Sequence, residues 1–254
     1  MSEALTTTTG SQLPAHLRAK LGDNRGKENI TQRDVRFPAI KLAQGTTVET
    51  KRSDPAYIDG LVEGEFFNSI SRERYGEDPF YFSVIGYLGH RHTLFNDDRT
   101  VAETDLSDDD PRCQFTIENV NGQKVRRSPQ ATEFRDFLVI AEIPGRETPL
   151  IATITFKKTQ LKHATTINSI LESAKLPSWA WRFKAQPVAQ RSKRNEPFYG
   201  WRIDQAGWSD ENVDRIAEEA YTRFLATKEA RERIAVVDED PTDGAQVAND
   251  DIPF

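Results

Sequence analysis

Cations and rings are packed most densely between residues 179 and 202. This stretch carries Arg182, Lys184, Arg191, Lys193, Arg194 and Arg202 against the single acid Glu196. Trp179, Trp181, Phe183, Phe198, Tyr199 and Trp201 are interleaved with them. A protein that holds a single polynucleotide strand needs this pairing, because cations track phosphates while ring faces stack on bases without reading them. On a strand, Trp179, Trp181 and Phe183 would share one face and Arg182 and Lys184 the other. If the aromatic row faces a core, the basic row alone meets a ligand. Under either arrangement the polar turn Arg191-Ser192-Lys193-Arg194 is a candidate phosphate contact. Lys157, Lys158 and Lys162 form a second patch at the start of an expected helix, where free N–H groups favour anions. Lys124, Arg126 and Arg127 form a third, and Tyr81 is a further candidate stacking ring.

Other chemistries have thinner support. His90 and His92 lie two apart, so on a strand they could share a metal, and an Asp-rich loop follows. Asp108, Asp109 and Asp110 are consecutive beside Pro111, the pattern of a solvated loop. A nuclease would need carboxylates fixed around Mg²⁺. Gly-rich phosphate loops, nucleophile elbows and zinc signatures do not occur. Cys113 is the only cysteine, which excludes an intrachain disulfide and a Cys-based zinc cluster. The reading therefore carries no enzyme activity, cofactor or metal.

The chain closes on an acidic run with Asp238, Glu239, Asp240, Asp243, Asp250 and Asp251 and no Lys or Arg. Its last residues, Asp250, Asp251, Ile252, Pro253 and Phe254, offer a ring for an apolar pocket and acids for a basic rim. This ending resembles the conserved tip of bacterial single-stranded-DNA-binding proteins, acidic residues followed by Ile-Pro-Phe. Only the tail carries the resemblance. Asn249 stands where that family often has another acid, and the upstream chain exceeds the family's oligonucleotide-binding (OB) domain. A globular body with an acidic tail ending in Phe is closer to the phage-encoded members of this functional class. The resemblance implies a body that binds single-stranded DNA and a tip that recruits replication, recombination and repair proteins.

The bulk numbers are compatible with that plan. The 254 residues carry a formal net charge of −6. With six of the 40 acidic residues in the tail, the remainder has 34 acids against 34 basic residues. The excess negative charge thus sits on an arm, and the body needs only a local basic patch to hold phosphates. No apolar run approaches a membrane span and no signal peptide is evident, so the expected setting is the cytoplasm of a bacterial host cell, with no membrane partner.

The elements that would position these residues are mostly strands. Residues 1–34 are expected to be a flexible arm, 35–235 the OB-like domain, and 236–254 a disordered protein-interaction tail. Within the body, strands are expected at 37–42, 61–70, 79–87, 114–118, 124–127, 137–143, 150–156, 179–188 and 198–203. A polar loop spans 96–112. One helix is expected at 159–174, capped by Thr159, and another at 209–234, capped by Ser209. The expected fold class is mainly β with two helices (α+β), an elaborated OB-like β-barrel.

The reading is therefore sequence-independent binding of single-stranded DNA. Its candidate contacts are Trp181, Arg182, Lys184, Arg191, Lys193, Arg194, Tyr199, Trp201, Arg202, Lys157 and Lys158. Two rivals stand beside it. One is a protein that binds no DNA and uses the tip to occupy host proteins; the other is a DNA-processing enzyme with the tip as a docking tag. A homo-oligomer is compatible with each.

Overall fold

A computed structural model describes residues 37–97, 100–120, 123–192 and 195–225. The N-terminal arm, the acidic tail, Lys193, Arg194 and the expected continuation of the last helix beyond Leu225 lie outside the described residues.

Two sheets and one hairpin make up the β structure. The first sheet joins β1 (Ile40–Leu42), β2 (Phe66–Asn68) and β3 (Arg74–Gly76) in sequence order. The principal sheet is built from β4 (Phe80–Phe95), β8 (Thr132–Glu142), β9 (Leu150–Lys157), β10 (Trp181–Arg191) and β11 (Pro197–Trp208). Its order is β11-β10-β4-β8-β9, all antiparallel, with β5 (Val101–Glu103) added at the far end of β4. Among the described residues β9 and β11 do not pair, so the sheet is open. The hairpin consists of β6 (Thr116–Val120) and β7 (Gln123–Arg127). Helix α1 (Leu161–Ser173) connects β9 to β10, and α2 (Glu211–Phe224) follows β11. The α+β class thus matches the expectation. No described helix is long and apolar enough to cross a membrane.

Side-chain alternation explains how the principal sheet buries both faces. Phe80, Phe82 and Val84 of β4, Phe137 and Val139 of β8, and Ile154 and Phe156 of β9 point into one core with Phe66, Phe183 and Trp201. Ile85, Leu138 and Ile140 point the other way, into a core covered by α2 through Val213, Ala217, Ala220 and Phe224. Alternation sends the neighbours Val84 and Ile85 to opposite cores, and the register shift between Val84 and Gly86 then places Tyr87 opposite Phe137, their rings 5.0 Å apart. Fully burying one Phe contributes about 1.5–3 kcal/mol. Phe66, Phe67, Phe80, Phe82, Phe137, Phe156 and Phe183 are all fully buried, so the aromatic core is the main apolar contribution holding these strands together.

Several boundaries differ from expectation for local reasons. β4 runs on to Phe95, well beyond residue 87, through a second irregularity between Tyr87 and Gly89, where Gly89 takes φ +117°. Asp210 rather than Ser209 caps α2, its carboxylate accepting from the Val213 N–H at 2.9 Å. The Ser209 N–H instead donates to the Ala180 carbonyl. Thr159 does not cap α1, because a 3-10 turn at Lys158–Gln160 leads into the helix.

Candidate functional site

The two edges of the open sheet approach each other without pairing. Phe156 on β9 and Trp201 on β11 meet at 5.9 Å between ring centroids. The segment before and after β1 spans the gap. On one side the Thr153 N–H donates to the Pro38 carbonyl at 2.8 Å, and Ala39 bridges Thr153 in parallel. On the other, the Gln44 side chain docks on the β11 backbone. Its amide donates to the Tyr199 carbonyl at 2.8 Å, and its carbonyl oxygen accepts from the Tyr199 N–H at 2.9 Å. A primary amide has one donor–acceptor face, so Gln44 reproduces one rung of a β ladder.

A cleft of about 410 Å³ opens at this seam, within the size range of small-ligand sites. Lys157 and Lys158 from the end of β9, Lys41 from β1, and Phe134, Phe198, Tyr199 and Trp201 contribute to its wall. Glu63 and Glu196 also line it, leaving three lysines against two carboxylates. Lys158 holds φ +52°, an uncommon conformation for a side chain with a Cβ, and begins the turn that feeds α1. No acid lies in the first turn of α1 and no side chain caps it, so its N-terminal end keeps its favourable potential for anions. Gln160 and Thr46, both in the cleft wall, each have a buried side-chain oxygen without a hydrogen-bond partner among the described residues. Beneath Phe134 and Thr155, the buried Asp136 carboxylate accepts from Thr155 at 2.6 Å and Arg91 at 3.2 Å. Burial pushes its pKa up, while those two partners pull it down.

The sequence-nominated residues fall into three places. Lys157, Lys158, Tyr199 and Trp201 meet in the cleft. Trp201 is nevertheless a core residue, 8% exposed, with its ring against Phe66 at 4.9 Å and Phe80 at 6.2 Å. Core rings surround it on one side, and on the other it forms part of the cleft wall. Tyr199 is half-buried and lies against Gly64, whose hypothetical Cβ would come within 2.6 Å of the ring. Gly64 also takes φ +88°, so glycine suits the position twice over.

The second group lies along the β10–β11 ladder. Trp181 stacks on Trp208 at 4.1 Å, and these two residues are register partners at the ladder's opposite end from Arg191 and Pro197. The expected aromatic row is split: Phe183 is fully buried and Trp181 packs, partly buried, against the same core, whereas Trp179 joins the core under α2. Arg182 forms a two-point pair with Glu142 at 2.8 and 2.9 Å while lying 3.8 Å over the Tyr81 ring. Arg202 pairs with Asp204 at 2.9 Å. Lys184 is directly opposite both Tyr81 and Asp204 in the sheet register. Arg191 donates to Asn195 across the turn.

The third group lies outside the described residues. It comprises Lys193 and Arg194, which follow the cleft residue Ser192, and the tip Asp250, Asp251, Ile252, Pro253 and Phe254. Sequence reading had not selected Lys41, Gln44 or Phe198 as contacts. Gln44 is 155 residues from Tyr199, and no local pattern announces that pairing.

A separate cluster gathers His90, His92 and Asp108, the described group with the make-up of a metal site. The sequence suggests the two histidines as a pair; the structure adds one particular aspartate from the following loop.

Residues 7–230 match the family described as Pam3 phage gp34-like protein. The match spans most of the chain, and the chain belongs to that family. Its acidic run from Asp238 lies beyond the matched span. No curated protein and no solved structure matches the chain.

Proposed function

We propose that this phage gp34-like protein binds single-stranded DNA without sequence preference on an OB-like body. The observation that carries the reading is the seam cleft. It combines Lys157, Lys158, an anion-favouring helix start, the half-buried Tyr199 and Ser192, the residue that precedes Lys193 and Arg194 in sequence. Cations and a ring in one groove are what a single strand requires.

Topology supports the same reading. Taking β4, β8, β9, β10 and β11 as first to fifth, the order β11-β10-β4-β8-β9 is that of an OB barrel opened between its third and fifth strands. The helix between β9 and β10 occupies the place such a barrel gives its helix. OB folds bind oligonucleotides on the face of strands two and three, flanked by the loops between strands one and two and between four and five. Here those parts are β8 and β9, the excursion holding the β6–β7 hairpin, and the 192–196 turn. The hairpin brings Lys124, Arg126 and Arg127.

The acidic tip is proposed to recruit host replication, recombination and repair proteins, with Phe254 as the anchor and Asp250 and Asp251 steering. The protein would act as a binding protein, not an enzyme, in the host cytoplasm, and as a homo-oligomer where copies line a strand. The test is fluorescence anisotropy with labelled oligo-dT and a duplex of equal length at two salt concentrations. Tight, salt-sensitive binding of the single strand with weak duplex binding is expected. The pairing of Arg182 with Glu142 and of Arg202 with Asp204 favours a second reading, in which the body binds no DNA and the tip alone occupies host proteins. Absence of oligonucleotide binding by both the full chain and a tail deletion would select it.

A further inference from the structure

We propose that His90, His92 and Asp108 bind a divalent transition-metal ion, Zn²⁺ foremost, which clamps the Asp-rich loop onto β4. The histidines lie two apart on one strand and therefore on one face, with rings 5.8 Å apart. Asp108 arrives from the following loop. His90 Nε2 is 2.9 Å from both carboxylate oxygens, and His92 Nδ1 is 3.3 Å from one of them. The three donor atoms all lie within 4.8 Å of one another. Zinc binds such donors at about 2.0–2.2 Å in a tetrahedron, which places neighbouring donors about 3.3–3.5 Å apart. The His92–Asp108 distance of 3.3 Å matches that separation, and the 2.9 Å contacts of His90 would have to widen by about 0.5 Å to admit the ion.

One feature exceeds what an ordinary His–Asp pair explains. His92 is 8% exposed, and its Nδ1, although 3.3 Å from one Asp108 oxygen, makes no hydrogen bond among the described residues. Such a buried nitrogen costs stability unless something engages it. The loop is also held in place independently of the histidine side chains. Leu106 is buried and its N–H donates to the His92 carbonyl at 3.2 Å. Gln114 donates to the Asp108 carbonyl at 3.0 Å, and Asp110 caps the turn at Pro111–Cys113 through the Arg112 N–H. Asp108 is therefore presented by a built loop.

Two imidazoles and one carboxylate suit zinc, cobalt or nickel, whereas magnesium and calcium prefer all-oxygen sites. Three protein ligands leave a further position on the metal for water. The loop leads directly into the β6–β7 hairpin, so the ion would brace that hairpin's base.

The test uses the full chain, stripped with chelator and titrated with Zn²⁺ by calorimetry, alongside Co²⁺ absorption. One equivalent of Zn²⁺ is expected, with Co²⁺ giving a tetrahedral visible spectrum. His90→Gln and Asp108→Asn alter exposed positions and are expected to keep the metal-free melting curve while weakening Zn²⁺ at least tenfold each. Zn²⁺ should raise the melting temperature of the original chain and not that of Asp108→Asn. Absence of binding, or Zn²⁺ affinity unchanged in both variants, would overturn the site.

Discussion

The two lysines at the end of β9 make the sharpest prediction. Lys157 and Lys158 line the cleft, with the Lys157 ammonium 5.7 Å from the Phe134 ring centre. If each contacts one phosphate, a Lys157→Gln/Lys158→Gln chain loses two contacts. For single strands the slope of log affinity against log salt changes by about 0.7 per contact, so the slope should become shallower by about 1.4. At 0.1 M salt this corresponds to about fivefold per lysine and about 25-fold for the pair. Between 50 and 200 mM the gap from the original chain should narrow about sevenfold. Anisotropy of labelled oligo-dT across that series measures it. Because Lys158 sits at φ +52°, a Lys158→Gly variant relaxes the backbone while removing the charge, and its affinity should fall as for Lys158→Gln. Arg182→Gln serves as the contrast, since Glu142 already neutralises that guanidinium and the slope should change little. Parallel log–log lines for the original and double-variant chains would refute the placement of DNA in the cleft.

Trp201→Ala should destabilise the fold by about 3–5 kcal/mol in urea unfolding, the cost of emptying a core aromatic site. Trp208→Ala, at a residue 58% exposed, should lose only the value of its stack on Trp181, about 0.5–1.5 kcal/mol. Arg112 holds the Asp110 carboxyl down to about 2, so its stabilising contribution is complete above the ordinary carboxylate range and is lost as pH falls through about 2. An acid titration followed by circular dichroism should show that component, and Asp110→Asn should remove it. Deleting residues 238–254 should tighten single-strand binding most at low salt, because six acids leave a body of balanced charge. Equal affinities throughout a salt series would rule out competition between tail and strand.

How much of this was legible depends on whether the deciding contact is local. The stripe of Val213, Ala217, Ala220 and Phe224 shows the last helix at its own period, and the structure buries those residues. The mixture of Phe80, Phe82 and Val84 with Ile85 shows a strand buried on both faces. The second half of β4 was not legible. Gly89, His90, Arg91, His92 and Thr93 read as a polar exit from the strand. They stay in the sheet because β8 pairs with them and Arg91 reaches the buried Asp136. That interaction spans 45 residues of sequence. The cap of α2 lies one residue beyond Ser209 for a similar reason: the Ser209 N–H and hydroxyl are engaged by the Ala180 carbonyl, which leaves capping to Asp210.

The site shows the same division more sharply. Reading residues 179–202 as a basic, aromatic segment singles out what folds as the β10–β11 hairpin, but it treats every cation and ring as equivalent. Folding separates them. Trp179 joins the core under α2 while Phe183 is buried in the opposite core, and that core also takes up Trp201. Glu142 answers Arg182 from 40 residues away and Asp204 answers Arg202 from two. Exposed pairs of this kind contribute about 0–1 kcal/mol, so they do little for stability, yet they cancel charge that a phosphate would otherwise meet. Lys157 and Lys158 lie apart from those pairs, where the open edge of the principal sheet, the start of α1 and the cleft residues Ser192 and Glu196 come together. An open edge is usually a hazard because its backbone groups invite another strand. Here Pro38 and Gln44 occupy part of that edge from both sides, and the remaining gap is the cleft of about 410 Å³. On the proposed reading, leaving the barrel open is what makes room for the strand it binds.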